Sequence, residues 1–349
     1  MRKSFDRVEN PAVHRRLLRP RWLLACGALL GSVALAQPTA APLASLDLAQ
    51  APALPGDFSV MTYNVKGLPW PVATGREEPL RLIGERLAQM RAAERQPTIV
   101  VLQEAFIDEA KAIGRIAGYR YRVEGPSVRD DTGTPASRKR TWYRGETMGS
   151  VLDSGLVLLS DVPISDIQRQ AFPAGSCGGY DCLAAKGVLM ATLTLPGGRK
   201  ITVATTHLNA RGASGVPADD ADAAYAREAD AMRAVLSKRA RDVPLIIARD
   251  FNRGQWATRT ALLNRAVAAL NGGKPPAEGL RTVMATEPAG FGARSDAQWI
   301  RMRARDLQFV VQGAGQVTPI AGAVPFGIEP DGSSLSDHHG FTIADRFAD

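Results

Sequence analysis

Cysteine and histidine are scarce in this 349-residue chain, which contains three and four of them respectively. Two of the cysteines, Cys177 and Cys182, lie close together in the segment SCGGYDC, and no histidine is near them. A structural zinc site takes four ligands from cysteine and histidine, so these two cysteines cannot build one alone. The scarcity therefore excludes a structural zinc site at this segment.

A long apolar run is also missing. The stretch WLLACGALLGSVALA, residues 22–36, is too short for a comfortable membrane span. It follows a basic segment and ends in Ala-Leu-Ala, the small-x-small pattern that signal peptidases cut. We therefore predict a signal peptide over residues 1–36 and an exported protein, periplasmic or secreted. An uncleaved anchor is the alternative, and lipidation at Cys26 is a minor one. An oxidising compartment favours a Cys177–Cys182 disulfide over free thiols.

Strong positive charge is missing from the predicted mature chain. Residues 1–36 contain seven Lys/Arg and two Asp/Glu, so the net charge falls from +8 for the whole chain to +3 for residues 37–349. The high isoelectric point of the whole chain therefore overstates any preference for nucleic acid.

The length and the 45% hydrophobic content predict a globular chain with a full core. Residues 37–56 are rich in Pro and Ala without periodicity, which indicates a linker before a domain over residues 57–349. In that domain short β-rich runs alternate with amphipathic helices such as PLRLIGERLAQMRAAER. The predicted strands are FSVMTYNV, TIVVLQE, SGLVLLS, GVLMATLTL, KITVATTHL, VPLIIARDFN, DLQFVV and GFTIAD. The pattern predicts an α/β or α+β layered domain without internal repeats.

Five polar clusters lie at strand ends, four of them after a predicted strand and one before the last strand. They are Asn64, Glu104, His207, Asp250 with Asn252, and Asp337 with His338 and His339 in SDHH. Polar groups at the ends of several strands can meet at one rim of a sheet, where an enzyme assembles residues distant in sequence. Each of them alone has an ordinary alternative, such as capping a turn. Together they suit a hard, oxygen-coordinated cation with acid–base chemistry.

The segments TYN, LQE, TTHL, RDFN and SDHH resemble, in this order, the T-x-N, Q-E, T-H-x, G-D-F-N and S-D-H motifs of the endonuclease/exonuclease/phosphatase superfamily, which is related to DNase I. They span residues 60–344. The resemblance implies a DNase I-like four-layer α/β (α+β) sandwich, in which two packed mixed β-sheets are flanked by helices. It also implies metal-dependent hydrolysis of a phosphodiester.

The resemblance further implies that Glu104, helped by Asn64 and Asp337, holds Mg²⁺ against a phosphate oxygen, with Mn²⁺ or Ca²⁺ as alternatives. Carboxylate and amide oxygens are the ligands that such hard ions prefer, and the ion would neutralise charge on the phosphoryl transition state.

By the same resemblance Asp250 would position or deprotonate the attacking water, and Asn252 would hydrogen-bond the phosphate. His207 would stabilise the pentacovalent oxyanion or assist the leaving group. The catalytic histidine of the final motif would be His338, and alternation in an extended stretch would turn His339 away.

Two further positions concern the polar cluster. Asp306, in RDLQFVV, would hold the second ring nitrogen of His338, although the match to the family pattern is loose. Arg249 replaces the glycine that the family has before D-F-N. It could pair with Asp250, block the phosphate site or supply an extra phosphate contact. A non-catalytic binding protein is therefore one alternative function.

The segment DCLAAKG resembles the D-x-x-x-x-K-G segment of neutral and bacterial sphingomyelinases, which implies that Lys186 handles a phospholipid phosphate. A solvated lysine is the ordinary alternative. Asn209, after TTHL, also resembles that subfamily. We therefore expect a secreted, monomeric sphingomyelinase- or phospholipase C-like phosphodiesterase. Its contact with a phospholipid membrane surface would be the stretch RTWYRGETMG, residues 140–149.

A secreted DNase I-like endonuclease is the main alternative function. Its backbone-binding groove would use the basic runs RKRTWYR, residues 138–144, and WIRMRAR, residues 299–305. Their aromatic residues would also suit stacking on bases, and a solvated surface is the ordinary explanation of both runs.

Overall fold

The computed structural model describes residues 51–131, 142–286 and 296–348. The predicted signal peptide and residues 37–50 of the predicted linker lie outside the described residues. Among those that are described, no helix combines the length and the apolar character needed to cross a membrane.

Twelve strands are present in the described part of the chain and form two six-stranded sheets. In chain order they are β1 (Phe58–Gly67), β2 (Ile99–Ala105), β3 (Tyr121–Glu124), β4 (Val157–Ser160), β5 (Ile164–Ala171), β6 (Gly187–Thr194), β7 (Lys200–Thr206), β8 (Leu245–Asp250), β9 (Ala277–Glu278), β10 (Asp306–Val311), β11 (Val317–Phe326) and β12 (Gly340–Phe347). The first sheet has the order β11-β12-β1-β2-β4-β3 and the second β5-β6-β7-β8-β10-β9. Both are mixed, because β1 and β2 run parallel, as do β7 and β8, among antiparallel neighbours.

Six α-helices accompany the sheets within the described ranges. They are α1 (Glu77–Ala92), α2 (Asp108–Ile116), α3 (Ala218–Leu236), α4 (Ala257–Leu270), α5 (Gly279–Thr286) and α6 (Asp296–Arg303). The apolar face predicted for α1 is buried against the first sheet, together with α2. The second sheet is covered by α3 and α4, and α5 and α6 pack against β11 and β12.

A third apolar core lies between the two sheets. Val60 and Val101 of the first sheet pack there with Leu189, Val203 and Ile246 of the second. Successive side chains of a strand point to opposite faces, so one set fills this inner core while the other meets the helices. The predicted four-layer arrangement of two packed sheets flanked by helices is therefore confirmed. The predicted disulfide between Cys177 and Cys182 is also present.

Strand β8 shows how this alternation positions chemistry. Leu245 and Ile247 belong to the core under the helices, whereas Ile246 and Ala248 belong to the core between the sheets. Continuing the alternation, Arg249 faces the helices and Asp250 faces the other sheet. The pairing Asp306↔Asp250 brings the start of β10 to the same end of the sheet.

Candidate active site

Asp250 lies at the centre of the polar cluster, at the rim where both sheets end. Its Oδ1 accepts a hydrogen bond from the backbone N of Asn252 at 2.8 Å, and its Oδ2 accepts one from Nδ2 of Asn64 at 3.2 Å. The Nε2 atoms of His207 and His338 lie 3.5 and 3.6 Å from Oδ2. Burial alone would raise the pKa of Asp250, but the two histidines and these hydrogen bonds hold it well below its usual range. Asp250 is therefore ionised.

His338 is held by a second carboxylate. Its Nδ1 donates to Oδ2 of Asp306 at 2.7 Å, and both side chains are buried. Burial opposes a charge on His338, but the carboxylates of Asp306 and Asp250 outweigh it and raise the pKa to about 10. The imidazole is therefore protonated on both nitrogens at neutral pH.

His207 has the opposite protonation state. Burial and the nearby charge of Lys186 lower the pKa of His207 to about 3, so its imidazole is neutral. Its Nε2 lies 2.9 Å from Nδ2 of Asn252, and its Nδ1 is buried without a hydrogen-bond partner among the described residues. The same Nδ2 donates to the carbonyl of Leu208 at 2.9 Å. A pair of histidines with different charges is an arrangement expected of a site that moves protons.

His339 lies apart from this cluster. Its ring stacks on Trp299 with centroids 3.9 Å apart, and its Nδ1 is 3.5 Å from Oδ1 of Asp296. It is buried. The structure thus places the two adjacent histidines in separate environments, one in the site and one in packing.

Glu104 and Asp337 are the acidic groups beside the central pair. Burial raises the pKa of Glu104 to about 7, and repulsion from Asp250 and Asp337 adds to the increase. Glu104 also has a left-handed backbone, with φ 55°. Strain of this kind in a non-glycine residue is typical of functional sites. Three carboxylates that repel one another fit a divalent cation, because it relieves the repulsion.

Asn64 contacts Glu104 directly. Its Nδ2 donates to Oε1 of Glu104 at 2.8 Å, and its Oδ1 accepts a hydrogen bond from the backbone N of Lys66 at 3.1 Å. Asn64 thus orients Glu104, and its role as a metal ligand stays a prediction.

A second grouping of possible ligands consists of Asp250, Asp306 and His338, whose ligand atoms lie within 4.8 Å of one another. Both nitrogens of His338 face carboxylates in this group, so each carries a proton and neither has a free lone pair for a metal. With both nitrogens of His338 protonated, this grouping suits proton transfer better than it suits holding an ion.

The cluster opens into a cavity of about 510 Å³. Its polar lining residues include Glu104, His207, Asp250, Asn252, Asp337, His338 and Arg305. Its apolar lining residues, which we call the apolar wall, include Leu68, Pro69, Val72, Phe106, Leu152 and Leu183. The cavity can thus contact both a charged group and an apolar group. The apolar wall was not predicted from the sequence.

Lys186 lines this cavity, but it is buried and engaged by protein groups. Its Nζ lies 3.0 Å from Oδ1 of Asp181 and donates to the carbonyl of Leu208 at 3.4 Å. The alternative of a solvated lysine is therefore wrong. A phosphate contact of Lys186 stays a prediction.

Arg249 and Asn209 are corrections. The guanidinium of Arg249 is fully buried 3.6 Å from the ring centroid of Phe251, with no hydrogen-bond partner among the described residues. Asn209 is fully buried too, and its Oδ1 accepts a hydrogen bond from the backbone N of Gly178 at 2.9 Å. Neither side chain reaches the cavity. Strand alternation turns Arg249 toward the helices, and the side chain of Asn209 instead supports the disulfide loop. Arg249 accordingly does not block a phosphate site.

The sequence of the chain is similar to that of sphingomyelinases from Mycobacterium bovis and Mycobacterium tuberculosis, at 28% identity over 215 residues. The match covers 60% of this chain, but only 37% of the length of those relatives. No family model matches the chain.

Several solved structures share the fold. A beta-toxin variant from Staphylococcus aureus with bound magnesium ions gives a TM-score of 0.56 at 16% identity, over 82% of this chain and 99% of that one. Sphingomyelinase C from Streptomyces griseocarneus gives 0.52 at 21% identity, over 85% and 100%. An endonuclease/exonuclease/phosphatase protein from Beutenbergia cavernae gives 0.51 at 19% identity, over 82% and 70%. The protein thus has the DNase I-like fold of the endonuclease/exonuclease/phosphatase superfamily, and sphingomyelinases are among the proteins that its sequence resembles.

Proposed function

We propose that the protein is an exported, monomeric, divalent-metal-dependent phosphodiesterase that hydrolyses a phospholipid, releasing phosphocholine as a sphingomyelinase or phospholipase C does. The observation that carries this proposal is the mixed lining of the cavity. Ionised Asp250 and charged His338 line it together with apolar side chains. The disulfide supports export, since such bonds persist in oxidising compartments.

In the proposed reaction Glu104 and Asp337 would hold Mg²⁺, with Mn²⁺ or Ca²⁺ as alternatives. When bound, this ion supplies positive charge against the charge that develops on the phosphate. Asn64 fixes the orientation of Glu104 through its 2.8 Å hydrogen bond, which would keep the carboxylate available to the ion.

Proton transfer falls to Asp250 and His338. Asp250 accepts the proton of the attacking water as the water oxygen bonds to phosphorus and the bond to the leaving alkoxide breaks. His338 donates its Nε2 proton to that alkoxide. The 3.6 Å separation of the two groups then allows Asp250 to return the proton to His338, which resets both residues. Asp306 keeps His338 oriented throughout.

A phosphoryl oxygen would be bound by groups that carry no negative charge. We assign this role to Lys186 and to Asn252, both of which line the cavity. Neutral His207 would stabilise the pentacovalent oxyanion together with Asn252, because its low pKa makes it a poor proton donor to a leaving group.

The lipid is favoured over other phosphodiesters by apolar side chains around the cavity mouth. Trp70 is 80% exposed and Val72 70%, and both lie in the loop that forms the apolar wall. Trp142 and Tyr143, from the stretch predicted to contact membrane, are 74% and 58% exposed. The chain directly after that stretch is joined to the cavity wall, since the backbone N of Val151 donates to the carbonyl of Leu183. Exposed aromatic groups beside an apolar cavity are suited to a bilayer surface.

A DNase I-like endonuclease is the second candidate function. It is favoured by Arg305, which belongs to the basic run 299–305 and lines the cavity beside the polar cluster. A cation at that place could contact the backbone of a nucleic acid. The other basic run, residues 138–144, lies outside the described residues up to residue 141.

The test uses residues 37–349 with Mg²⁺ or with EDTA. Phosphocholine release is measured from sphingomyelin and phosphatidylcholine liposomes, and nicking is measured on plasmid DNA, with Asp250→Ala and His338→Ala as inactive controls and exposed Arg265→Ala as an active one. Mg²⁺-dependent release that both inactive controls lose supports the proposal. Nicking without release favours the endonuclease. Activity on neither substrate contradicts both and favours a binding protein. Amino-terminal sequencing of the exported form tests cleavage after Ala36.

A further inference from the structure

Arg259 is a fully buried residue of α4 that does not line the cavity. Its Nε donates to Oδ1 of Asp222 at 2.6 Å. Its Nη1 donates to the carbonyls of Asn209 and Asn252, at 2.7 and 2.9 Å. Its Nη2 donates to the carbonyl of Ala221 at 3.1 Å. A guanidinium has rigid donor geometry, so these contacts fix the relative positions of the groups that accept them.

Two of these acceptors belong to segments that carry site residues. Asn209 comes two residues after His207, and Asn252 comes two residues after Asp250. The side chain of Asn252 also contacts Nε2 of His207. Arg259 thus links the backbone segment that follows His207 to the backbone segment that follows Asp250, from the side away from the cavity.

The backbone at these segments needs such support. Asn252 has a left-handed conformation with φ 49°, which a non-glycine residue rarely adopts unless its surroundings impose it. The preceding segment is held through its amides, since the backbone N of Asn209 donates to Oε2 of Glu228 at 2.6 Å. The backbone N of Ala210 donates to Oδ2 of Asp181 at 2.5 Å. Side chains from other parts of the chain therefore hold the backbone of this segment on both its amide and its carbonyl side.

We propose that Arg259 is a positioning residue for the hydrolysis, a claim that rests on the proposed function. By binding the carbonyls of Asn209 and Asn252 together, it sets the separation of neutral His207 from ionised Asp250. Arg259 touches neither the apolar wall nor Glu104, so the apolar contacts with the substrate and cation binding do not depend on it directly. Its loss should therefore lower kcat far more than it changes KM, and leave the Mg²⁺ requirement near that of the parent.

The test compares Arg259→Met and Arg259→Lys with the parent protein and with Arg265→Met, a matched change at an exposed position of the same helix. Arg259→Met is expected to lower kcat about 100-fold, the size of effect that a misplacement of about 1 Å can produce, with KM changed less than about twofold. Lysine can keep the ion pair with Asp222 but lacks the fork needed for both carbonyls, so Arg259→Lys should restore part of the rate. Arg265→Met should match the parent.

Imidazole NMR signals give a second readout that needs no activity. The chain contains four histidines, so the ring signals can be assigned one by one. In Arg259→Lys the signals of His207 should move, while those of His338, held by Asp306, should stay in place. Circular dichroism establishes that each variant is folded at the assay temperature, and Arg259→Lys carries the test if the methionine variant fails to fold.

The outcomes separate this inference from the proposed function. A parent without phosphodiesterase activity overturns the proposed function, and the positioning claim falls with it, whatever the NMR signals show. An active parent whose folded variants keep its kcat and its His207 signals overturns the positioning role alone. The positioning role is also overturned if kcat falls while KM and the required Mg²⁺ concentration rise by similar factors and all histidine signals are displaced. Such a result indicates a general loss of structure.

Discussion

Replacing Asp306 by asparagine tests the proton-transfer pair most directly. The change removes the charge that holds Nδ1 of His338 at 2.7 Å in a buried setting. Hydrogen bonds to charged groups contribute about 1.5–3 kcal/mol. Since about 1.4 kcal/mol changes a rate tenfold, Asp306→Asn should lower kcat about 10- to 150-fold.

The same change should alter the pH dependence. In the parent the pKa of His338 is raised to about 10, mainly by Asp306 and Asp250 against the effect of burial, so its proton is available throughout the neutral and mildly alkaline range. Without the charge of Asp306 the pKa falls, and the proton donor is lost at a lower pH. The rate of Asp306→Asn should therefore fall further behind the parent as the pH rises from 6 to 9.

The assay is steady-state phosphocholine release at saturating Mg²⁺ across that pH range. Asp296→Asn is the matched control, because Asp296 lies beside the other histidine of the pair, His339, outside the cavity. It should keep kcat within about threefold, as expected for a change without contact to the reacting groups. Equal losses in the two variants, or an unchanged pH profile in Asp306→Asn, would refute the assignment of His338 as the proton donor.

Three further outcomes are expected. Burial raises the pKa of Asp345 to about 8, so the stability it contributes is present below pH 4 and is lost as the pH rises through 8. Asp345→Asn should add about 1–3 kcal/mol to the free energy of unfolding at pH 9 and much less at pH 5, measured by urea titration. Replacing Cys177 and Cys182 by serine should lower that free energy by about 2 kcal/mol, and addition of reductant to the double variant should then have no effect. Glu104→Gln should raise the Mg²⁺ concentration for half-maximal rate about tenfold or more, whereas a nearly unchanged requirement would place the cation elsewhere.

The parts of the fold that the sequence predicted are those with continuous apolar runs. β8 and β10 are buried along their whole length, and both were predicted from their apolar sequences. β11 was missed, because VTPIAGAVPF contains two prolines and a glycine, which weaken a strand pattern even where an edge strand tolerates them. β5 was missed because most of its residues are exposed and polar. Edge strands depend on the neighbour that pairs with them, and local sequence does not reveal that neighbour.

The meeting of the polar residues at one rim could be predicted from the sequence, whereas the directions of their side chains could be predicted only in part. Asn64, Glu104 and Asp250 could be expected at one rim because each ends a predicted strand. The orientation of Arg249 could have been predicted from the sequence. Adjacent residues of a strand point to opposite faces, so if Asp250 points into the site, Arg249 must point away from it. Arg259 gave no such signal. Two of its acceptors near the site are backbone carbonyls from segments that meet only in the folded chain. Every residue type has a backbone carbonyl, so the sequence does not mark which ones will accept these hydrogen bonds.

The strand order of the first sheet has a consequence for synthesis. β12, which follows His338 directly, lies between β11 and β1 and is the last strand of the described chain to leave the ribosome. A nascent chain can already contain Glu104, His207 and Asp250, yet His338 cannot take its place at the rim until β12 inserts beside β1. The polar cluster is thus completed only when the last strand of the described chain has formed.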